Sequence, residues 1–165
     1  MKQEKLLDRI APCSLLCYTC TGFRDGPVSA CAGQLSVYLE GFCEMRETYL
    51  SEDARKAWRS QFDEFHNTLK HMSGGSCPGC RKGPGPGCIH NCFIPDCAKA
   101  HGMDFCAECK EFPCREAADF FADRDGRLRH AWEDGNRRLQ ELGAEAYFKE
   151  KEHTSHYIHY KNKSV

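Results

Sequence analysis

The chain has 165 residues, a formal net charge of −1 and 41% hydrophobic residues. This length favours one domain, and the modest apolar content limits the size of a conventional core. The near-neutral charge disfavours a general nucleic-acid-binding surface, and the lack of any run of ~18 apolar residues excludes a membrane span.

The chain begins with a charged segment, residues 1–12, that has no apolar run of the length of a signal peptide. The thirteen cysteines are an odd number, whereas a disulfide scaffold is usually a short secreted chain with an even number. We therefore predict a cytoplasmic protein whose thiols stay reduced and serve mainly as metal ligands.

Residues 12–31 are predicted to be a loop-rich segment with Cys13, Cys17 and Cys20 at C-x3-C-x2-C spacing. Three thiolates with one open position are typical of a catalytic zinc site. The same spacing occurs in radical S-adenosylmethionine enzymes, but the chain is too short for their barrel of ~200 residues or more, so we interpret that likeness as accidental. Two hypotheses remain, an open metalloenzyme or iron–sulfur redox site and, favoured over it, a third structural zinc site completed from elsewhere in the chain.

Two helices are predicted between this segment and the next cysteines. Residues 34–50 carry apolar side chains at helical spacing, which predicts one helix. Ser51 is the predicted N-cap of the second helix, whose apolar stripe runs to about Met72 and ends at residues 73–76. Two lone cysteines, Cys31 and Cys43, are predicted to be core thiols, because no candidate base lies beside either.

Residues 77–114 form a cysteine-rich module whose spacing is typical of metal ligands. The Gly- and Pro-rich run 82–87 inside it can be neither a helix nor a central strand, so ordered structure there needs a metal. Four thiolates make a closed tetrahedral zinc site, and ferredoxin-type cysteine runs are absent, which favours zinc. We predict two such sites, formed by Cys77, Cys80, Cys88 and Cys92 and by Cys97, Cys106, Cys109 and Cys114, although an interleaved pairing is equally compatible with the spacing.

The last third is predicted to be helical. One helix covers residues 116–121, an interruption follows at residues 123–126, and a second helix runs over residues 128–142 to a C-cap at Gly143. A short last turn follows. The arginines of the preceding helical region belong to a solvated face. The tail contains three histidines that are either a metal-binding tract or, the favoured interpretation, part of a solvated tail: His153, His156 and His159.

Several of these motifs together resemble one known family. Residues 11–20 read A-P-C-S-L-L-C-Y-T-C, and residues 105–114 read F-C-A-E-C-K-E-F-P-C. This pattern is similar to a prokaryotic cysteine-rich family known only as a domain of unknown function and suspected of binding zinc. Eleven cysteines match the family pattern, whereas family members usually have glycine where this chain has Ser14. The resemblance implies a prokaryotic cytoplasmic metal protein and no particular reaction.

The sequence therefore predicts a mostly α protein with helices packed around irregular, zinc-stapled cysteine-rich loops and little strand. A single domain, 1–165, would consist of three parts, 11–72, 73–114 and 115–165. The favoured function is that of a zinc ribbon-like protein with two or three structural zinc ions and a protein partner; whether it is also an enzyme stays open. Nucleic-acid binding is the weakest hypothesis, and its candidate cations are Arg81, Lys82, Lys99, Lys110 and Arg115.

Overall fold

The computed structural model describes residues 6–82, 89, 91–122 and 126–161. Within them the chain is mostly helical, as predicted, and β pairing is limited to two isolated bridges. None of the helices in this part is long and apolar enough to cross a membrane. The helices, in chain order, are α1 (Pro27–Tyr38), α2 (Phe42–Glu47), α3 (Glu52–Ser73), α4 (Ile94–Ala100), α5 (Arg115–Phe120) and α6 (Arg127–Lys151).

The boundaries of α1 and α2 differ from the prediction. α1 begins at Pro27, inside the segment that was predicted to be a loop, because proline at the first helical position is pre-set for the helix. The single helix predicted over residues 34–50 was also wrong. The chain leaves α1 after Tyr38, and Gly41 adopts a φ of 72° before α2 begins, a conformation that glycine adopts at no steric cost.

α3 follows the prediction closely. Ser51 is its N-cap, and the helix ends at Ser73. Its apolar stripe packs on α2, where the ring of Phe42 lies 5.8 Å from that of Trp58 and 6.1 Å from that of Phe62, between centroids. α1, α2 and α3 thus form a helical hairpin with its own aromatic contacts, inserted between the N-terminal cysteines and the cysteine-rich module.

The main core lies against α6. One cluster of buried side chains includes Ala131 and Trp132 of α6 together with Leu15, and a second includes Leu139 of α6 together with Leu16. Neighbouring residues of the N-terminal cysteine loop therefore enter different clusters. This arrangement fixes that loop on both sides.

Three predictions about irregular segments have mixed outcomes. Gly143 does break α6, with φ 74° and ψ 162°, but the helix resumes and continues to Lys151, further than the short turn predicted. The module is less irregular than predicted, because it contains the helix α4. Pro95 lies in the first turn of that helix, where proline is well tolerated. Other predicted features lie wholly or mainly outside the described residues: Cys88, His90, the run 82–87, the interruption at 123–126 and the end of the tail.

Ser14 is tightly packed against α6. It is fully buried and adopts a φ of 69°, a conformation that glycine adopts at no steric cost and that other residues rarely adopt. Asn136 Nδ2 donates to Ser14 Oγ (3.1 Å), and Tyr147 Oη donates to the Ser14 carbonyl (2.9 Å). A Cβ atom at Gly135 would lie 2.4 Å from Ser14 Oγ and 3.2 Å from Ser14 Cβ. The absence of a side chain at Gly135 thus leaves the space that the Ser14 side chain occupies.

We expect Gly135→Ala to lower the free energy of unfolding by about 1–3 kcal/mol, because the new methyl group would clash with the buried Ser14 side chain. Gly33→Ala in α1 is the matched control, since the nearest atom to its Cβ would be Ser73 Cβ at 3.7 Å. This control should gain up to about 1 kcal/mol from helix propensity. Urea unfolding of both variants checks the prediction, and a stabilised Gly135→Ala chain would contradict it.

Candidate metal centres

The two ends of the helical hairpin meet beside cysteines of both clusters. The Cys77 N–H donates to the Gly22 carbonyl (3.0 Å), and the Arg24 N–H donates to the Cys77 carbonyl (3.0 Å). A Cβ atom at Gly75 would lie 2.9 Å from Arg24 Cα, so this close approach requires glycine. Closure of the hairpin therefore brings the N-terminal cysteine loop against the first C-x2-C pair of the module.

Cys17, Cys20, Cys77 and Cys80 make up the first set, here named group A. The Cys17 thiol donates a hydrogen bond to the Cys80 sulfur, which lowers the pKa of Cys80 to about 7 although burial acts in the opposite direction. Cys20 Sγ and Cys77 Cβ lie 3.9 and 4.0 Å from the position that a Cβ atom would take at Gly22. The spacing left the pairing open, and the structure places cysteines of the N-terminal trio next to cysteines of the module.

Arg81 follows Cys80 directly and joins this region to the N-terminal segment. Its guanidinium donates hydrogen bonds to three backbone carbonyls, those of Leu7 (2.6 Å), Ile10 and Asp104. It also lies 5.0 Å from the centroid of the Phe105 ring. The side chain is thus partly buried and bound to carbonyl dipoles.

Three cysteines act electrostatically on the same guanidinium. Burial lowers the pKa of Arg81, whereas the negative charge of Asp104 and that of thiolates at Cys17, Cys80 and Cys13 raise it. Cys13 is itself buried. Transfer of a cation out of water is costly unless an anion compensates it, so thiolates at these cysteines would stabilise Arg81 where it stands.

Cys97, Cys106, Cys109 and Cys114 make up the second set, group B, and are the four that the spacing predicts to share a site. Cys106 begins a 3-10 turn in which the Cys109 N–H donates to the Cys106 carbonyl (3.0 Å). Cys97 lies in α4, and Cys114 is the N-cap of α5, as predicted. The pKa of Cys106 is raised to about 11, first by burial and then by the charges of thiolates at Cys114, Cys97 and Cys109, so the four are within electrostatic reach of one another.

Trp132 covers group B from α6. The residue is fully buried, and its indole Nε1 forms no regular hydrogen bond. Its N–H lies by the Cys106 sulfur, where it acts to lower the pKa of that thiol against the effect of burial. A thiolate accepts a hydrogen bond more strongly than a thiol does, so an ionised Cys106 would satisfy this buried donor.

The described side chains form pairs and neighbouring positions around these centres. In the part of the chain that the structure describes, no three His, Cys, Asp or Glu side chains are arranged to hold one metal ion as they stand. Cys92 is near group A, where burial raises its pKa and the charge of Cys80 contributes in the same direction. A shared ion would therefore require the sulfurs to turn toward a common centre.

The two lone cysteines have different surroundings. Cys43 is buried in α2, as predicted, and its thiol donates to Glu47 Oε1 (3.7 Å), a carboxylate that also binds Arg59. Cys31 is exposed, so the prediction of a core thiol was wrong there. Cys31 lies within α1, whose buried residues are Ser29 and Ala32.

The C-terminal histidines are also divided. The His153 side chain is 93% exposed, whereas His156 Nδ1 donates to the Leu16 carbonyl (2.7 Å). His156 and His159 line a cavity of about 350 Å³ between α6 and the segment that follows it. The solvated tail that was the favoured interpretation thus applies to His153 and to the exposed His159, which lines the cavity, whereas His156 lies half-buried against the fold.

Acidification is expected to destabilise the fold through these two histidines. Burial lowers the pKa of His156 and of His159, so below the ordinary value of about 6.5 the unfolded chain binds more protons than the folded chain. The free energy of unfolding should therefore decrease from about pH 6.5 downward. His156→Asn, whose amide can still donate to the Leu16 carbonyl, should flatten this slope in urea unfolding, whereas the exposed His153→Asn should not. Equal slopes in all three chains would contradict the assignment.

The basic residues form ion pairs on the surface or are bound within the fold. Arg138 pairs with Glu150 at 2.6 Å on the exposed face of α6, in agreement with the predicted solvated face. Of the cations named for nucleic-acid binding, Arg81 is occupied by backbone carbonyls, and Lys82 pairs with Asp8 at 2.6 Å. The other three named cations, Lys99, Lys110 and Arg115, are exposed, so nucleic-acid binding stays the weakest hypothesis.

The cysteine pattern and its placement agree with one family. The family DUF3795, described as a protein of unknown function, matches residues 9–119, which is more than half of the chain. The chain belongs to this family. The match includes every cysteine of groups A and B, whereas α6 and the segment after it lie beyond the match. No curated protein and no solved structure matches the chain.

Proposed function

We propose that this DUF3795 protein binds zinc mainly as a structural metal, at one four-cysteine site formed by group A and another formed by group B. It would act as an interaction or scaffold module for a protein partner. Four thiolates are the donor set that suits tetrahedral zinc. Zinc bound there would cross-link loops that are far apart in the sequence and would contribute directly to folding.

The position of Arg81 is the observation that carries the proposal for group A. The guanidinium is held by three carbonyls close to Cys13, Cys17 and Cys80. Neutral thiols would leave this partly buried cation without a full counter-charge. A zinc ion with four thiolates has a net charge of −2, so metal binding would add negative charge beside Arg81 to that of Asp104.

The proposal for group B has a separate support. The Trp132 N–H is buried without a regular acceptor and lies by the Cys106 sulfur. Metal binding would keep Cys106 ionised, although its pKa in the metal-free chain is raised to about 11, chiefly by burial. A thiolate at Cys114, at the start of α5, would be stabilised by the backbone N–H groups of the first turn.

Two further features support an intracellular interaction module. None of the described cysteines forms a disulfide, which fits the reducing cytoplasm. The helical hairpin also exposes large apolar side chains, which are typical of protein contact surfaces: Leu35, Val37, Tyr38, Phe42, Met45, Tyr49 and Phe65.

A second candidate is an iron–sulfur or catalytic metal site that includes the N-terminal trio. It is favoured by the burial of Cys13 beside Arg81 and by the position of Cys92 near Cys80. Such a site would use the thiolates of Cys13, Cys17 and Cys20 with one position open, and Cys80 would then lie with Cys92 instead of completing group A. Iron–sulfur clusters use the same ligand type and absorb visible light, so the two candidates are separable by colour.

Elemental analysis and an absorption spectrum of the anaerobically purified chain test the proposal. We expect two zinc ions per chain and no visible absorption. Cys80→Ser and Cys109→Ser should each lose one zinc ion, whereas Cys31→Ser, with an exposed cysteine outside both groups, should keep both. Iron, sulfide and a broad band near ~400 nm would favour the second candidate, and a chain without any metal would refute both.

A further inference from the structure

The N-terminal cysteine loop, residues 13–21, is held by residues that lie beyond the family match. Two of the contacts come from α6, where Asn136 Nδ2 donates to the Cys13 carbonyl (3.2 Å) and Tyr147 Oη donates to the Ser14 carbonyl (2.9 Å). Both donors are buried. The start of the loop is therefore fixed through its backbone.

The segment after α6, residues 152–161, holds the rest of the loop. His156 Nδ1 donates to the Leu16 carbonyl (2.7 Å), and the Thr19 hydroxyl donates to the Thr154 carbonyl (2.8 Å). These contacts join parts of the chain that are more than 130 residues apart. They place the 152–161 segment directly over the C-x2-C turn of the trio, between Cys17 and Cys20.

Tyr157 is the one residue of this segment whose side chain reaches a group A sulfur by a hydrogen bond in the described residues. Its hydroxyl lies 3.5 Å from Cys20 Sγ, 2.7 Å from Thr21 Oγ1 and 3.2 Å from the Thr21 backbone nitrogen. A phenol has one hydrogen to donate and can accept two. If Cys20 is a thiolate, it can only accept, so the phenol donates to the sulfur and accepts from both donors of Thr21. Every donor hydrogen in this small network then has an acceptor.

We propose that Tyr157 is a positioning residue for Cys20, and that its hydroxyl donates a hydrogen bond to this sulfur when the sulfur binds metal. The inference rests on the proposed function, since it takes group A to be a metal site. A hydrogen bond to a ligating atom fixes the direction of its lone pairs and lowers its charge density. The segment beyond the family match thereby supplies an outer ligand contact to a family cysteine.

Cobalt(II) titration of the reduced, metal-free full chain is the test, with Tyr157→Phe as the variant. Loss of the hydrogen bond raises the energy of the sulfur lone pairs, so the sulfur-to-cobalt charge-transfer band should move to longer wavelength. Cobalt affinity should fall about 10-fold, as is usual when an outer contact to a ligand is removed. A purely structural role would leave the band of the fully loaded chain in place.

Tyr160→Phe is the matched control, because Tyr160 is an exposed tyrosine of the same segment. It should keep the wild-type band and affinity. A loaded Tyr157→Phe chain with an unchanged band, or a Tyr160→Phe chain with an equal shift, would overturn the inference alone. A wild-type chain that takes up neither cobalt nor zinc would refute the proposed function, and the inference would fall with it.

Discussion

Removal of metal under reducing conditions is expected to unfold the cysteine-rich part of the chain. Apparent binding of structural zinc contributes ~10–16 kcal/mol per site, whereas the whole stability of a domain of this size is ~5–15 kcal/mol. The helix within the module, α4, and the helix directly after it, α5, have seven and six residues, which is too short for stable helices on their own. Without bound zinc, the loops of the module have no comparable source of stability.

The two tryptophans allow the loss to be located. Trp132 packs beside group B, with its ring centroid 5.2 Å from that of Phe112 and 5.5 Å from that of Phe121. Trp58 lies in the helical hairpin against Phe62, at 5.8 Å. A chelator should therefore shift the fluorescence of Trp132 far more than that of Trp58.

The measurement uses a Trp58→Phe chain and a Trp132→Phe chain, each with one tryptophan, titrated with EDTA in a thiol-free reductant. Far-ultraviolet circular dichroism should fall only in part, because the 22-residue α3 has its own partners in the hairpin. Return of zinc should restore the Trp132 signal. Unchanged helicity and an unchanged melting temperature in the metal-free chain would contradict a structural role for metal.

Local signals explain which parts of the fold could be predicted. The N-cap Ser51 and the apolar stripe of α3 are contained in neighbouring residues, so that helix was predicted with nearly correct ends. The break at Gly41 was missed because apolar spacing continues across it, and only the backbone at positive φ shows the turn. Pro27 was taken as a loop signal, although proline also begins helices.

The same distinction applies to the cysteines. Group B lies within 18 successive residues, 97–114, so its spacing alone indicates one set, which stays a prediction. Group A depends on closure of a hairpin between Cys20 and Cys77, and no spacing rule contains that closure. The contact between Tyr157 and Cys20 is further still from any sequence signal, since the tail carries no motif that points to the N-terminal loop.

Arg81→Met is expected to lower the free energy of unfolding of the metal-loaded chain by about 3 kcal/mol. The substitution leaves the carbonyls of Leu7, Ile10 and Asp104 without their shared donor, and each unsatisfied buried group costs about 1–3 kcal/mol. We discount the sum because the side chain is only partly buried, so water can reach some of these carbonyls. Zinc affinity at group A should fall as well, because the cation beside Cys80 is lost.

Arg81→Lys separates the two effects. Lysine keeps the positive charge but cannot reproduce the planar fork of donors, so it should restore more of the zinc affinity than of the stability. Arg115→Met is the matched control, because Arg115 also follows a cysteine directly but has a side chain that is 95% exposed and pairs only loosely with Asp119 (3.5 Å). It should change stability by at most about 0.5 kcal/mol.

Urea unfolding of the zinc-loaded chains and competition with a zinc chelator measure the two quantities separately. If Arg81→Met weakens zinc binding and Arg81→Lys does not, the charge next to the thiolates is the part that matters for metal. If both variants bind zinc as the wild type does, Arg81 is a structural link between carbonyls, and the charge argument for group A is refuted. Because Arg81 touches the N-terminal segment as well as the module, a loss of stability alone would still show that this side chain joins the two.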